Sequence, residues 1–221
     1  MKKVSCVTYL FTISKLSLLS INFISESLIL SKIYYIYAVM NAGKSTELLQ
    51  IDHNYLSNNM QTLLLKSSVD TRDSAVEIVS RLGLRKKALQ LDDNSADEII
   101  ELIKKNNYAC VLIDESQFLS QSTIWKLSDV CDEYGVPMMF FGLKTDYMGH
   151  LFEGSKTLLE IADNFRELKT VCWCGKKATM NLLEGKDGQI VKYGNSIHLG
   201  DSEFHSVCRK HWKAGQIRPK Q

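Results

Sequence analysis

At 221 residues the chain is long enough for one sizeable core, or for a core with a small module attached. Its composition, 45% hydrophobic, 24% charged and 9% aromatic, is that of an ordinary globular protein, and two prolines with no low-complexity tract exclude a long disordered linker. A formal net charge of +2, from 27 basic and 25 acidic residues, removes the electrostatic case for a nucleic-acid binder.

Residues 1–32 open with Lys2 and Lys3 ahead of an apolar stretch, in the manner of a signal peptide. Lys15, Asn22 and Glu26 interrupt that stretch and no small-x-small cleavage site follows it, so it is poor as a spanning helix. The segment reads as a nonessential extension, with a membrane-associating or export segment as the alternative.

From Ile33 the pattern becomes regular. "IYYIYAV" (33–39) is an aromatic and β-branched run that predicts a strand. "KSTELLQIDHNYLS" (44–57) predicts a helix with Leu48, Leu49, Ile51 and Leu56 on its apolar face, and "QTLLLK" (61–66) a buried strand. Residues 68–84, "SVDTRDSAVEIVSRLGL", are ambiguous, with polar residues where a second site loop would lie. Ser95 and Glu98 form a capping-box pattern that starts a helix near 95, followed by a core strand at 108–114. A helix over 122–134 and a buried strand over 137–143 complete the regular part. Strands alternating with helices indicate an α/β domain with a mostly parallel sheet covered on both faces. After about residue 170, two cysteines, frequent glycines and a Cys-x-x-His ending indicate a small loop-rich module. The expected division is 1–32 extension, 33–168 α/β domain, 169–214 small loop-rich module and 215–221 tail.

Three clusters carry chemistry. The stretch Ala38, Val39, Met40, Asn41, Ala42, Gly43, Lys44, Ser45 matches the phosphate-loop template G-x-x-x-x-G-K-[ST], except that alanine replaces its first glycine. Such a loop turns backbone N–H groups inward around phosphate oxygens at a helix N-terminus. Ala38 is tolerable there if its position needs no positive φ. Lys44 reaches the β/γ-phosphates and the Ser45 hydroxyl ligates Mg²⁺, the alternative being a chance Gly-Lys-Ser. In "CVLIDESQFL" (110–119) four apolar residues deliver Asp114 to the end of a strand, where an acid orients Mg²⁺. Glu115 is a second carboxylate for positioning or deprotonating an attacking oxygen, the alternative being a polar loop. Cys172, Cys174, Cys208 and His211 supply a Cys₃His set suited to structural Zn²⁺, with a redox pair or unrelated surface residues as alternatives. Cys110 and Cys131 lie in apolar segments and read as buried thiols.

"AVMNAGKST", "DESQF", "GLKTDYMGHLF" and "CWC…SVCRKH", in that order over residues 33–214, resemble the thymidine kinases of the zinc-containing type. The resemblance implies a P-loop (RecA-like) α/β fold, a parallel sheet flanked by helices, with a small C-terminal zinc-binding module. It implies transfer of the γ-phosphate of ATP, with Mg²⁺, to the 5′-hydroxyl of thymidine. It makes Glu115 the general base and places Ser116 and Gln117 with the cofactor-binding residues. Phe118, Tyr147 and Phe152 fall at the nucleoside, and Asp70 and Arg72 near the Mg²⁺ and phosphates. A loop over 195–208, with Ile197, His198, Leu199, Gly200 and Phe204, covers the base, although many relatives have two glycines where this chain has Leu199-Gly200. The same resemblance implies a cytoplasmic homotetramer, feedback inhibition by thymidine triphosphate, and neither nucleic acid nor membrane as partner. The competing reading is a zinc-containing nucleic-acid-dependent P-loop ATPase.

Overall fold

Alternation along the strands builds two cores from one sheet. Successive side chains of a strand point to opposite faces. In the strand Cys110–Asp114, Val111 and Ile113 join one buried cluster while Cys110 and Leu112 join the other. The strand Ile33–Ala38 divides in the same way, Ile33 and Tyr35 to the first cluster and Ile36 to the second. This is why these strands read as continuous apolar runs: both faces are covered.

The computed structural model describes residues 32–68, 77–194 and 203–219. In chain order the strands are β1 (Ile33–Ala38), β2 (Thr62–Ser67), β3 (Glu77–Val79), β4 (Arg85–Lys87), β5 (Leu89–Leu91), β6 (Cys110–Asp114), β7 (Met138–Leu143), β8 (Asn164–Glu167), β9 (Met180–Glu184), β10 (Ile190–Val191) and β11 (Glu203–Val207). The helices are α1 (Lys44–Ser57), α2 (Ala96–Lys105), α3 (Gln121–Tyr134), α4 (Glu153–Ile161) and α5 (Arg209–Ala214). Six strands form one parallel sheet in the order β5-β2-β6-β7-β1-β8, with Ile33 opposite Met138 and Ala38 opposite Leu143 in the β1–β7 pair. Residues of α2, α3 and α4 pack in the first cluster, and residues of α1 in the second.

Because every strand of this sheet runs the same way, the ends of β1, β6 and β7 open on one edge, the carboxyl edge where α/β sheets bind ligands. β7 lies between β1 and β6, so Ala38 and Asp114 stand one strand apart on that edge. A second, three-stranded antiparallel sheet, β10-β9-β11, pairs Asn181 with Ser206 and Leu183 with Phe204. A third buried cluster joins Val39, from beyond β1, to Cys172, Ala178, Leu182, Val207 and Cys208.

Two local expectations are corrected. The helix starts at Ala96 as expected, but no capping box forms: the Ser95 hydroxyl accepts from the Asp92 N–H at 2.9 Å and donates to its carboxylate at 3.0 Å. A turn ahead of the helix has claimed the side chain, as short polar residues do. The ambiguous stretch contains, in its described part, β3 and the turn that leads into its hairpin partner β4, and helix α4 with edge strand β8 stands where no element was expected. Among the described residues no helix is long and apolar enough to cross a membrane. Of the extension, residues 1–31 lie outside the described residues.

Candidate active site

The phosphate loop begins where β1 stops. Ala38 is still a strand residue, 4% exposed, and the non-glycine residues with positive φ do not include it. The position therefore makes no demand for glycine, and alanine fits. The demand falls later: Asn41 (φ 61°) and Gly43 (φ 86°) take left-handed backbone, which asparagine tolerates and glycine adopts freely. Helix α1 then starts at Lys44, its N-terminal end at the loop.

Across the carboxyl edge, β6 delivers Asp114, and the Ser45 hydroxyl donates to its Oδ2 at 2.9 Å. Thus residues 69 positions apart in sequence meet, as the two motifs require. Asp114 is 3% exposed, and burial, with the neighbouring Glu115 charge, pushes its pKa up to about 6 against the opposing pull of Lys44 and Ser45. Hydroxyl and carboxylate oxygens are hard donors of the kind Mg²⁺ takes, so this pair fits that ion.

Glu115 sits in left-handed backbone (φ 52°), an uncommon state for a non-glycine residue. Its side chain is held: Gln117 Nε2 donates to Oε2 at 2.5 Å. The other end of Gln117 accepts from the Leu143 N–H of β7 at 3.0 Å, and the Ser116 hydroxyl donates to the Phe141 carbonyl at 3.0 Å. Gly142 permits this seat, since a Cβ there would meet Gln117 Oε1 and Ser116 Oγ at 2.8 Å.

A cavity of about 670 Å³ spans the edge, lined by residues 40–46 of the loop, by Glu115 and by Val79, Ser80, Arg81 and Leu82 of the β3–β4 hairpin. Of the cofactor-binding candidates, Met40, Asn41, Ala42, Gly43, Lys44, Ser45 and Glu115 line it. Ala38, Val39, Ser116 and Gln117 are buried and do not line it. The hairpin residues were not individually legible; the polar stretch 68–84 was the one signal for them.

Of the nucleoside candidates, Phe118 and Phe152 meet edge to face, with centroids 5.6 Å apart. Tyr147 is buried, its hydroxyl pKa raised by burial and by the neighbouring Asp146. A Cβ at Gly194 would lie 2.7 Å from that hydroxyl, so the Tyr147 tip rests against the chain just before residue 195. Phe204 lies opposite Leu183, on the β11 face shared by Ser206. Asp70, Arg72, Ile197, His198, Leu199 and Gly200 lie outside the described residues.

The candidate metal ligands come together. Cys172 Sγ and Cys208 Sγ lie 3.3 and 3.4 Å from His211 Nδ1, and Cys174 Sγ lies 4.0 Å from Cys208 Sγ. A tetrahedral Zn²⁺ with its usual bond lengths sets ligand separations of roughly 3.5–3.8 Å. Cys172 and Cys174 lie in one tight turn closed by Gly175 (φ 80°), whose N–H donates to the Cys172 carbonyl at 2.8 Å. Cys208 is the N-cap of α5 and His211 stands in its first turn, which gives Cys-x-x-His a shared direction. The His211 backbone N–H draws the Cys208 thiol pKa down, favouring the thiolate a metal needs. All four positions of a Cys₃His shell are filled from the protein, which fits a structural zinc.

Residues 31–212 match the family model described as thymidine kinase. The chain is similar to the thymidine kinase of Enterobacteria phage T4, 47% identical over 187 residues covering 83% of this chain and 96% of the relative. It is 44% identical over 193 residues to the Haemophilus influenzae thymidine kinase, covering 85% and 100%. With that of Rhodopirellula baltica it shares 42% identity over 189 residues, covering 83% and 89%.

Proposed function

The chain belongs to the thymidine kinase family, and we propose that it transfers the γ-phosphate of ATP to the 5′-hydroxyl of thymidine with the residues assembled at the carboxyl edge. The observation that carries this reading is the 2.9 Å Ser45–Asp114 hydrogen bond, which ties the phosphate loop to the strand-end acid with Glu115 lining the same cavity.

Lys44 and the inward N–H groups of the loop bind the β/γ-phosphates, and the α1 N-terminus faces that negative charge. Ser45, Asp114 and Asp70 would hold Mg²⁺, which would neutralise the negative charge developing on the phosphates. Glu115 accepts the proton of the 5′-hydroxyl as that oxygen attacks in line. Gln117 keeps one carboxylate oxygen occupied and so fixes which oxygen faces the substrate. Phe118, Phe152 and Tyr147 supply an aromatic wall for the thymine. Backbone groups suit that base, whose edge offers one N–H between two carbonyl acceptors. Catalysis is then positioning plus charge stabilisation.

Cys172, Cys174, Cys208 and His211 would hold Zn²⁺, which would brace the small module. The same reading includes a cytoplasmic homotetramer inhibited by thymidine triphosphate, which sedimentation and inhibition assays on the full chain test. The family match disfavours the nucleic-acid-dependent ATPase.

Glu115→Gln tests the base. Turnover should fall by about 100-fold or more while calorimetric thymidine affinity stays within about threefold. Near-normal turnover removes Glu115 from that role.

A further inference from the structure

The loop that receives the triphosphate is anchored by the module on the far side of the chain. Met40 is the second residue beyond β1, immediately before the left-handed turn at Asn41. Both of its backbone groups are taken by side chains of the small sheet: its N–H donates to Asn181 Oδ1 at 2.9 Å, and its carbonyl accepts from Ser206 Oγ at 2.5 Å. Asn181 and Ser206 face each other across the β9–β11 ladder, so they act from one face as a pair. Asn181 is 2% exposed and also donates Nδ2 to the Thr145 carbonyl at 3.4 Å, beside the segment that carries Tyr147. Val39 and the partly buried Ala42, on either side of the clamped residues, pack into the module's own core.

We propose that Ser206 and Asn181 are positioning residues for ATP: by holding Met40 they set where the loop backbone turns inward, and hence where its N–H groups meet the phosphates. This rests on the reading above that the loop binds the triphosphate. β1 fixes the chain only to Ala38, and α1 fixes it only from Lys44. Five residues between them must present donors in one geometry, and an anion nest loses its grip when its backbone shifts. The two side chains shorten the unanchored stretch from both the donor and the acceptor side of one residue. Asn181 also reaches the nucleoside side through Thr145, so it couples the two substrates. Among the described residues the Ser206 hydroxyl bonds to the loop alone, so Ser206 gives the cleaner test.

The experiment uses the full chain and compares wild type with Ser206→Ala, Ser206→Thr and Asn181→Ala. It reads KM for ATP and for thymidine, kcat, the affinity for a non-hydrolysable ATP analogue with Mg²⁺, Tm and zinc content. Removing one hydrogen bond of ordinary strength should raise the ATP KM and the analogue Kd about fivefold in Ser206→Ala. The thymidine KM should stay within about twofold, and zinc content at the wild-type value. Ser206→Thr keeps the hydroxyl and should restore the ATP KM, whereas Asn181→Ala should raise both KM values. An ATP KM in Ser206→Ala within twofold of wild type, an equal rise in both constants, or no rescue by threonine overturns the proposal. So does loss of zinc and folding in both alanine variants, which makes the pair merely structural. Absence of thymidine phosphorylation by the wild type, in contrast, defeats the functional reading itself.

Discussion

Asp114 and Glu115 are adjacent carboxyl groups with different surroundings, and the difference sets their roles. Asp114 is buried under the loop, and its pKa is raised to about 6 by burial first and Glu115 second. Glu115 lines the cavity, held by Gln117 from a strained backbone position of the sort that collects at functional sites. A carboxyl group whose folded pKa exceeds its unfolded one destabilises the fold when ionised. For Asp114 that penalty is absent below its ordinary value of 3.8, grows as pH rises, and is fully present above about 6. Asp114→Asn should therefore raise the Tm of the nucleotide- and metal-free protein by roughly a few degrees at pH 8. The advantage should shrink toward pH 4, as calorimetric scans across that range will show; a gap independent of pH contradicts the account. Activity should be lost in the same variant.

The elements hold this pair in place by close approach. β6 is buried along its whole length, and the turn after it is seated against β7 because Gly142 has no side chain. Gly142→Ala would press a methyl into Gln117 and Ser116, so it should lower kcat by about tenfold or more through a displaced Glu115. A Michaelis–Menten series on the folded variant checks this, and an unchanged kcat would show that the seat does not govern the carboxylate. The strands and helices of this layer were legible because two-faced burial writes continuous apolar runs and one-faced burial writes helical stripes. α4 and β8 were not. α4 takes Phe152 as N-cap with no side-chain cap bond, and β8 is an edge strand with mostly exposed residues. At Ser95 the residue pattern was right and the bonding wrong, because a nearby aspartate competed for the hydroxyl.

At the scale of the whole molecule, the small module and the nucleotide edge share a core: Val39 is buried with Cys172, Cys208 and Val207. A metal that orders the module therefore supports the loop as well. Cys208→Ser should lose most of its bound zinc by elemental analysis and melt at a lower temperature, since structural zinc contributes folding energy outright. Wild-type protein free of zinc, or a variant as stable as wild type, would end the structural-zinc reading. The motifs themselves were readable as residue types at set spacings: Lys44 and Ser45, Asp114 and Glu115, and the four candidate metal ligands. What spacing could not supply was adjacency. Asn181 and Ser206 are polar residues of ordinary kind in a short sheet, and only the β9–β11 register brings them to Met40. The hairpin residues that line the cavity escaped for the same reason.

The most direct measurement is a transfer assay with γ-labelled ATP and Mg²⁺, run with each of the four common deoxynucleosides and the full chain. The label should move to thymidine, giving thymidine monophosphate, with little or none on the other three. Inorganic phosphate released without any labelled nucleoside, and stimulated by DNA, would contradict the assignment.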